Sequence, residues 1–562
     1  VKHTAARPWH RPGAAAYARQ RIRTALRPPV TVYPLPPEVR KDEDVPVRMA
    51  DGVTLRLNLF RPAGPGPFPV ILSAHPYGKD KVPRRKRHGR WRLSFQFRIM
   101  NQPGPLRISD ETSWEAPDPA WWAQHGYAVI NLDTRGAGHS EGRGALLSDQ
   151  EADDIAQVIA WAAAQPWSNG RVGMLGVSYL ALSQYKVAAL GPAALKAICP
   201  WEGFTDAYRD FFTPGGVVED GFSRIWLFMT KRVARLTVDL AAGRPRHPLR
   251  DDWWEAVTPE LSRIRVPMLV CTSFSDANLH SAGSMRAFER AGSADRHAYA
   301  HRGPKWAVFY GEDALRAQLA FFDRHLRELD VPQLPPLRLE VRDRADNVVE
   351  VREEREWPLA RTDWRLLHLG PDGTLGKQAV DEGRVDFRLR SGFAAFEQRF
   401  DRDTELSGPM TLRLRVATRG AEDPRLFVGI EKLSGGEVVP FHGSYGYVRD
   451  RVARGWLRLA LRDLDPESST PHEPVHGFRA LKQVCDGKEL DVVIPLTASA
   501  TLFRAGESLR LLVAGRYLEP RNPFFGHFPV HYRPSTGGEA TILWGPGIPS
   551  SLEIPVIPLG RA

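Results

Sequence analysis

Ser178 lies in the string Gly176-Val177-Ser178-Tyr179-Leu180-Ala181, where a strand pattern over Val172–Gly176 gives way to a helical pattern over Tyr179–Leu190. A serine on a sharp strand-to-helix turn projects its hydroxyl into a cleft, with the N–H groups of the helix start around it. Such a turn wants small neighbours. Gly176 fits, whereas Leu180 stands where the usual Gly-x-Ser-x-Gly pattern has glycine, and Ala181 is the nearest small residue. A serine hydroxyl is a weak nucleophile until an imidazole takes its proton, and the imidazole needs a carboxylate to fix its tautomer. Where the serine occupies such a turn, the chain order is serine, acid, histidine, the last two just past later strands. Asp276 follows the strand pattern Met268–Ser273, and His301 follows Arg296–Ala300. The sequence therefore predicts Asp276 as the acid and His301 as the base. His280, four residues beyond Asp276, is the rival base, and Asp206 the rival acid. Singly, each of the three has a plain structural explanation: a helix N-cap, an Asx turn, a loop histidine. Their order at three successive strand ends points to nucleophilic catalysis. A tetrahedral intermediate also needs donors aimed at its oxyanion; the Tyr179 N–H and the Tyr77 hydroxyl, in the loop after an early strand, are the candidates.

The elements that would hold these residues alternate strand and helix. Phe68–Ser73 and Tyr127–Leu132 read as strands. A helix carries Ile155, Val158, Ile159 and Ala162 on one face, and an amphipathic helix runs around Asp313–Leu326. Such alternation predicts a mostly parallel sheet covered by helices on both faces. Residues 201–262, rich in Trp, Phe and Arg, read as helical segments inserted between strands. Trp201, Phe204, Trp226, Trp253 and Trp254 are the candidates there for an apolar substrate pocket. Beyond Pro332, Pro335 and Pro336 the pattern changes to period two, at Leu412, Leu414 and Val416, at Leu457, Leu459 and Leu461, and over Leu509–Val513, which predicts an antiparallel β-sandwich. The expected division is a basic N-terminal arm (1–45), an α/β core in two parts (46–200 and 266–331) with a basic insertion about 79–115, a helical cap (201–265), and a C-terminal β domain (337–562).

Composition narrows the classes. Of 562 residues 42% are apolar and 25% charged, values of a protein with a large core. Lys and Arg outnumber Asp and Glu by 77 to 66, a net charge of +11, and Lys79–Arg107 holds ten basic residues against Asp80 alone. This patch, with the run Arg84-Arg85-Lys86-Arg87, reads as a solvated insertion, because no zinc-finger spacing, RNA-recognition signature or aromatic-interleaved basic stripe accompanies it. Nucleic acid is therefore not an expected partner. No apolar run reaches the ~18–20 residues of a membrane span, and the first 30 residues lack the core of a signal peptide, so the expectation is a cytoplasmic protein without membrane attachment. Cys199, Cys271 and Cys485 are too scattered for a disulfide framework or a paired-cysteine metal site. His297 and His301 lack the flanking glutamate of a zinc helix, and the loop Asp133 to Gly142 lacks the third glycine of a dinucleotide fingerprint. Neither metal nor cofactor is expected; the partner is a small ester or peptide substrate, and self-association is left open.

Several strings together resemble the cocaine-esterase-like (CocE/NonD) serine hydrolases of the X-Pro dipeptidyl-peptidase family. They are Asp51-Gly52-Val53 with Arg61-Pro62, Pro76-Tyr77-Gly78-Lys79, Asp133-x-Arg135-Gly136-x-Gly138-x-Ser140-x-Gly142, Glu151 with Trp161, Trp167-Ser168-Asn169-Gly170, and Gly176-Val177-Ser178-Tyr179. The resemblance implies an α/β-hydrolase core, a helical cap and a C-terminal jelly roll closing over the site. It implies Ser178 as nucleophile, Asp276 as acid, His301 as base, and Tyr77 with Tyr179 as oxyanion donors. Many members carry the base in Gly-Pro-Trp-x-His, whereas this chain reads His301-Arg302-Gly303-Pro304-Lys305-Trp306. The expected function is hydrolysis of an ester or amide through an acyl-enzyme. The alternatives are X-Pro dipeptidyl-peptidase or α-amino-acid ester hydrolase activity, or a non-catalytic protein binding carbohydrate or a polyanion.

Overall fold

A computed structural model describes residues 9, 14–99, 106–445, 448–519 and 529–558. We number the strands of the core sheet β1 (Val39–Arg48), β2 (Thr54–Pro62), β3 (Phe68–His75), β4 (Ala128–Asp133), β5 (Ser168–Val177), β6 (Leu195–Trp201), β7 (Met268–Ser273), β8 (Arg296–His301), β9 (Leu337–Arg344) and β10 (Asn347–Glu354). Their spatial order is β1-β2-β4-β3-β5-β6-β7-β8-β9-β10. It is parallel from β4 to β9 and antiparallel at β1–β2, β2–β4 and β9–β10.

Side-chain alternation along these strands feeds two separate cores. Ile71, Val129, Leu175 and Cys271 pack on one face with Phe321, Phe322 and Leu326 of the helix Glu312–Leu326. Leu72, Ile130, Met174 and Val270 pack on the other with Ile155, Val158, Ile159 and Ala162 of the helix Asp149–Ala163. A parallel sheet buried on both faces needs this double cover. The helix Tyr179–Leu190 serves both cores, giving Leu180 and Leu182 to the first and Tyr185 and Val187 to the second.

Residues 202–267 fold between β6 and β7 as short turns around one longer helix, Phe222–Lys231. The basic N-terminal arm and the basic insertion are built together. Val30–Tyr33 pairs in parallel with Leu106–Ser109, and the Arg98 guanidinium donates to the Ala25 carbonyl of the helix Ala14–Leu26. Arg84, Arg85, Lys86 and Arg87 are exposed on a hairpin.

The C-terminal half is a two-layer β-sandwich. Thr404–Arg419 pairs with Leu490–Phe503, Ser551–Ile557 and Glu539–Trp544; the facing layer joins Phe393–Arg399, Ser508–Ala514, Arg425–Ser434 and Ala453–Arg458. Leu412, Leu414, Val416, Leu509, Leu511 and Val513 fill the space between them. The alternation expected through Leu457, Leu459 and Leu461 breaks at Arg458. Leu459–Leu461 is a 3-10 turn, which leaves Leu457 and Leu459 in the sandwich and sends Leu461 to the α/β core. Leu461 thus ties the two halves together.

Candidate active site

Ser178 stands between β5 and the helix Tyr179–Leu190 with φ 57° and ψ −116°, a left-handed conformation that costs a non-glycine residue energy and persists only where surroundings enforce it. Its N–H is held by the Trp201 carbonyl at 3.0 Å. A Cβ on Gly176 would lie 2.4 Å from the Leu180 Cβ, so only glycine fits there. The turn therefore obtains its clearance on the strand side, which allows a buried leucine at 180 where a second glycine is customary.

The imidazole facing Ser178 is that of His280. Its Nε2 lies 3.2 Å from the Ser178 Oγ, and its Nδ1 lies 2.5 Å from Asp276 Oδ2. Asp276 opens a tight turn after β7 whose carbonyl accepts the N–H groups of Leu279 and His280. That turn brings the side chains of residues 276 and 280 onto one side. The proton belongs on Nδ1, donated to Asp276, which leaves the Nε2 lone pair for the serine hydroxyl. Burial, followed by the charge of Lys305, holds His280 below the ordinary histidine value against the pull of Asp276. The ring is thus neutral and able to accept a proton at neutral pH. Burial alone would raise the Asp276 carboxyl, but Lys305 and His280 hold it well below the usual carboxylate range.

One expectation changes here. His301, predicted as the base, is fully buried as the last residue of β8, in register with Ser273 of β7. Its Nδ1 accepts the Gly303 N–H at 3.1 Å and its Nε2 faces Glu202 Oε1 at 3.2 Å without a hydrogen bond, whereas the imidazole bonded to Ser178 is that of His280. The strand runs one residue longer than its sequence pattern suggested, which puts the side chain inside the sheet instead of on the loop beyond it. Asp206, the rival acid, binds Arg209 and Arg250 at 3.1 and 2.8 Å and takes no part in the site.

Sequence reasoning missed Lys305. It is fully buried, with its ammonium 2.7 Å from Asp276 Oδ2, 2.9 Å from His280 Nδ1 and 3.5 Å from Glu202 Oε2. With the His280 proton on Nδ1, the ammonium donates to Asp276 and not to the ring. Burial alone would lower its pKa, but Asp276 and Glu202 outweigh that and raise it. Its position in Gly303-Pro304-Lys305-Trp306, a departure from the family string, was the available signal. Glu202, Cys271 and His301 bring ligand-type atoms close together, yet the Lys305 cation already supplies positive charge to that cluster.

Ser178, Tyr179, His280 and Tyr77 line one cavity of about 120 Å³. The Tyr77 hydroxyl accepts the Trp226 indole N–H at 2.9 Å, which leaves its own proton for another acceptor. The Tyr179 hydroxyl donates to Glu151 at 2.8 Å, which leaves its backbone N–H, and not its ring, as the candidate donor. Of the predicted pocket aromatics, Phe204 and Trp226 line the cavity. Trp201 packs on Tyr299 and Phe309, Trp254 on Tyr208 and Phe212, and Trp253 on His247, so these three are packing residues. Phe211, Phe222, Leu182 and Leu279 are among the other apolar residues of the wall, and Glu115 enters it as an acid that sequence reasoning did not single out. The loop from Asp133 is a brace: Arg135 forks onto Asp154 with two bonds of 2.7 Å, and Asp133 accepts the Lys79 N–H at 2.6 Å beside the Tyr77 loop.

A ten-stranded sheet of this order with a serine on the turn after β5, extended by a cap and a β-sandwich, defines an α/β hydrolase. Residues 51–244 match the family described as X-Pro dipeptidyl-peptidase (S15 family), and residues 330–553 match the X-Pro dipeptidyl-peptidase C-terminal non-catalytic domain. A CocE/NonD family hydrolase of Staphylococcus aureus is 34% identical, with 92% of this chain and 93% of that one covered and a TM-score of 0.86. The cocaine esterase of a Rhodococcus species is 27% identical over 59% of this chain and 62% of its own length. A putative serine esterase of Mycobacterium bovis is 31% identical over 32% of this chain and 27% of its own length. The matches thus span less than two thirds of these two relatives. The chain belongs to the CocE/NonD hydrolases of the X-Pro dipeptidyl-peptidase family.

Proposed function

We propose that this protein is a serine hydrolase that cleaves a small ester through an acyl-enzyme. The observation that carries the reading is the relay Ser178 Oγ–His280 Nε2 at 3.2 Å and His280 Nδ1–Asp276 Oδ2 at 2.5 Å. His280 takes the serine proton as Oγ attacks the carbonyl carbon. Asp276 stabilises the imidazolium, and the same proton passes to the leaving group as the carbon–heteroatom bond breaks. Water, deprotonated by His280 in turn, then discharges the acyl group. The Tyr179 N–H and the Tyr77 hydroxyl supply the oxyanion contacts.

An ester is favoured over a peptide because the lining is apolar and aromatic. Asp276 is already paired with Lys305 and His280, and burial disfavours charge on Glu115, so no free carboxylate among the described lining residues is placed to hold a substrate ammonium. X-Pro dipeptidyl-peptidase activity is the second reading, supported by the family matched over residues 51–244. A fluorophosphonate probe tests the class. Labelling of the folded protein that disappears in Ser178→Ala is expected, and no labelling would favour a binding protein. Faster turnover of p-nitrophenyl esters than of Gly-Pro-p-nitroanilide is the expected order; the reverse order would replace esterase with peptidase.

A further inference from the structure

Among the described residues that line the cavity, Glu115 is the one acid, and the relay does not use it. It is 3% exposed, yet it lines the same cavity as Ser178, Tyr77 and Tyr179. Its backbone is fixed to the nucleophile turn, the Glu115 carbonyl accepting the Val177 N–H at 2.9 Å, and its φ of 67° is strained for a side chain with a Cβ. Its Oε2 is buried without a hydrogen-bond partner. The groups facing the carboxyl are the Ser178 hydroxyl, the Tyr179 N–H, the Trp114 side chain, the Tyr77 and Tyr310 hydroxyls, and the Lys305 ammonium. Lys81 and His280 lie on the same cavity wall. Burial pushes Glu115 up to about 8, although Lys305, the Tyr179 N–H and Ser178 pull the other way.

An ionised carboxylate here would oppose a negative charge growing on the neighbouring carbonyl oxygen, whereas a neutral acid would stabilise it. A buried oxygen with no partner in the resting enzyme is unsatisfied until something meets it. We propose that Glu115 works as the neutral acid and donates a third hydrogen bond to the oxyanion, beside the Tyr77 hydroxyl and the Tyr179 N–H. The proton stays on Glu115 throughout, so the relay through His280 is unchanged. The proposal rests on Ser178 being the nucleophile.

The test is kcat/KM for p-nitrophenyl acetate from pH 6 to 9.5 in wild type, Glu115→Gln, Glu115→Ala and Ser178→Ala, with a melting curve for each. Wild type is expected to lose activity above a midpoint near pH 8 as Glu115 ionises. Glu115→Gln keeps a donor that cannot ionise, so it should remain within about tenfold of wild type at pH 7 and lose the alkaline fall. Glu115→Ala should fall by about 10²–10³-fold, as for loss of one oxyanion donor. An alanine variant as active as wild type, a glutamine variant that retains the alkaline fall, or one faster than wild type at pH 7 would each overturn the proposal. The glutamine variant, nearly equal in shape, carries the test if alanine lowers the melting temperature. Ser178→Ala separates the two readings. Activity surviving in it overturns both, whereas its loss together with unaffected Glu115 variants overturns this inference alone.

Discussion

At the scale of single residues, one histidine past the end of β7 meets Ser178, another ends β8, and Lys305 stands beside the first. His280 and His301 are both buried, but Asp276 and Lys305 meet His280 at Nδ1, while His301 is fixed by its strand pairing with Ser273 and lies beside Glu202. His280→Ala should therefore lower kcat at least about 10³-fold and abolish fluorophosphonate labelling. His301→Ala should keep labelling and act through stability. The measurement is labelling and kcat for the two variants side by side, and the opposite order would restore His301 as the base. Lys305 also sets the pH range. Its charge depresses the His280 pKa, so the neutral base persists to lower pH. Removing it in Lys305→Met lets the His280 pKa rise, and the acid limb of kcat/KM should move to higher pH by about one to two units. An unmoved or more acidic limb would show that Lys305 is a packing residue only.

At the scale of elements, the turn after β5 is stiff because three requirements meet within five residues. Ser178 is left-handed, its N–H is bonded to Trp201, and Gly176 touches Leu180. Gly176→Ala places a methyl group 2.4 Å from the Leu180 Cβ, and the repacking should cost about 1–3 kcal/mol, read as a lower urea midpoint together with a lower kcat. A variant with wild-type stability would mean that the helix Tyr179–Leu190 can shift without disturbing Ser178. This is also the element most legible in the sequence. The small residue before the serine, the strand before it and the helix after it are local signals, and Tyr179–Leu190 and Met268–Ser273 fall on the predicted residues. Asp276 was legible for the same reason, since a turn after a strand is read from neighbours in sequence. The histidine was not. Choosing between residues 280 and 301 depends on whether β8 ends at Ala300 or at His301, and one residue of strand reverses the side on which a side chain lies. Glu115 gave no local signal, and Lys305 only its departure from the family string, because they reach Ser178 and Asp276 across 63 and 29 positions of chain, through pairings that no local pattern reports.

At the scale of the whole molecule, the sandwich braces the acid turn from outside. The Ser444 N–H donates to the Ser275 carbonyl at 2.9 Å, and the Ser444 carbonyl accepts the Lys305 N–H at 2.8 Å, so one sandwich residue links the turn of Asp276 to the lysine that binds it. Asn278 is held by Tyr517 and Arg454 on the same side. Arg302, next to the end of β8, is the deepest of these ties. It is fully buried, donates to the Val452 carbonyl at 3.2 Å, to the Ser499 hydroxyl at 2.9 Å and to the Arg451 carbonyl, and covers the Phe441 ring at 4.2 Å. A guanidinium at this depth is stabilised by these acceptors and by the Asp450 carboxylate at 3.9 Å, although its Nε has no partner, and removing it takes a donor from two buried carbonyls and leaves Asp450 without that charge. Arg302→Met should therefore cost about 3–5 kcal/mol and separate the unfolding of the sandwich from that of the α/β core. Urea titration followed by tryptophan fluorescence is the check, because each half carries its own tryptophans, among them Trp122 and Trp306 in the core and Trp544 in the sandwich. If the sandwich positions the acid turn, kcat should fall in this variant below the first transition, where both halves are still folded. A single transition at the wild-type midpoint with unchanged kcat would show instead that the α/β half holds Asp276 and His280 unaided.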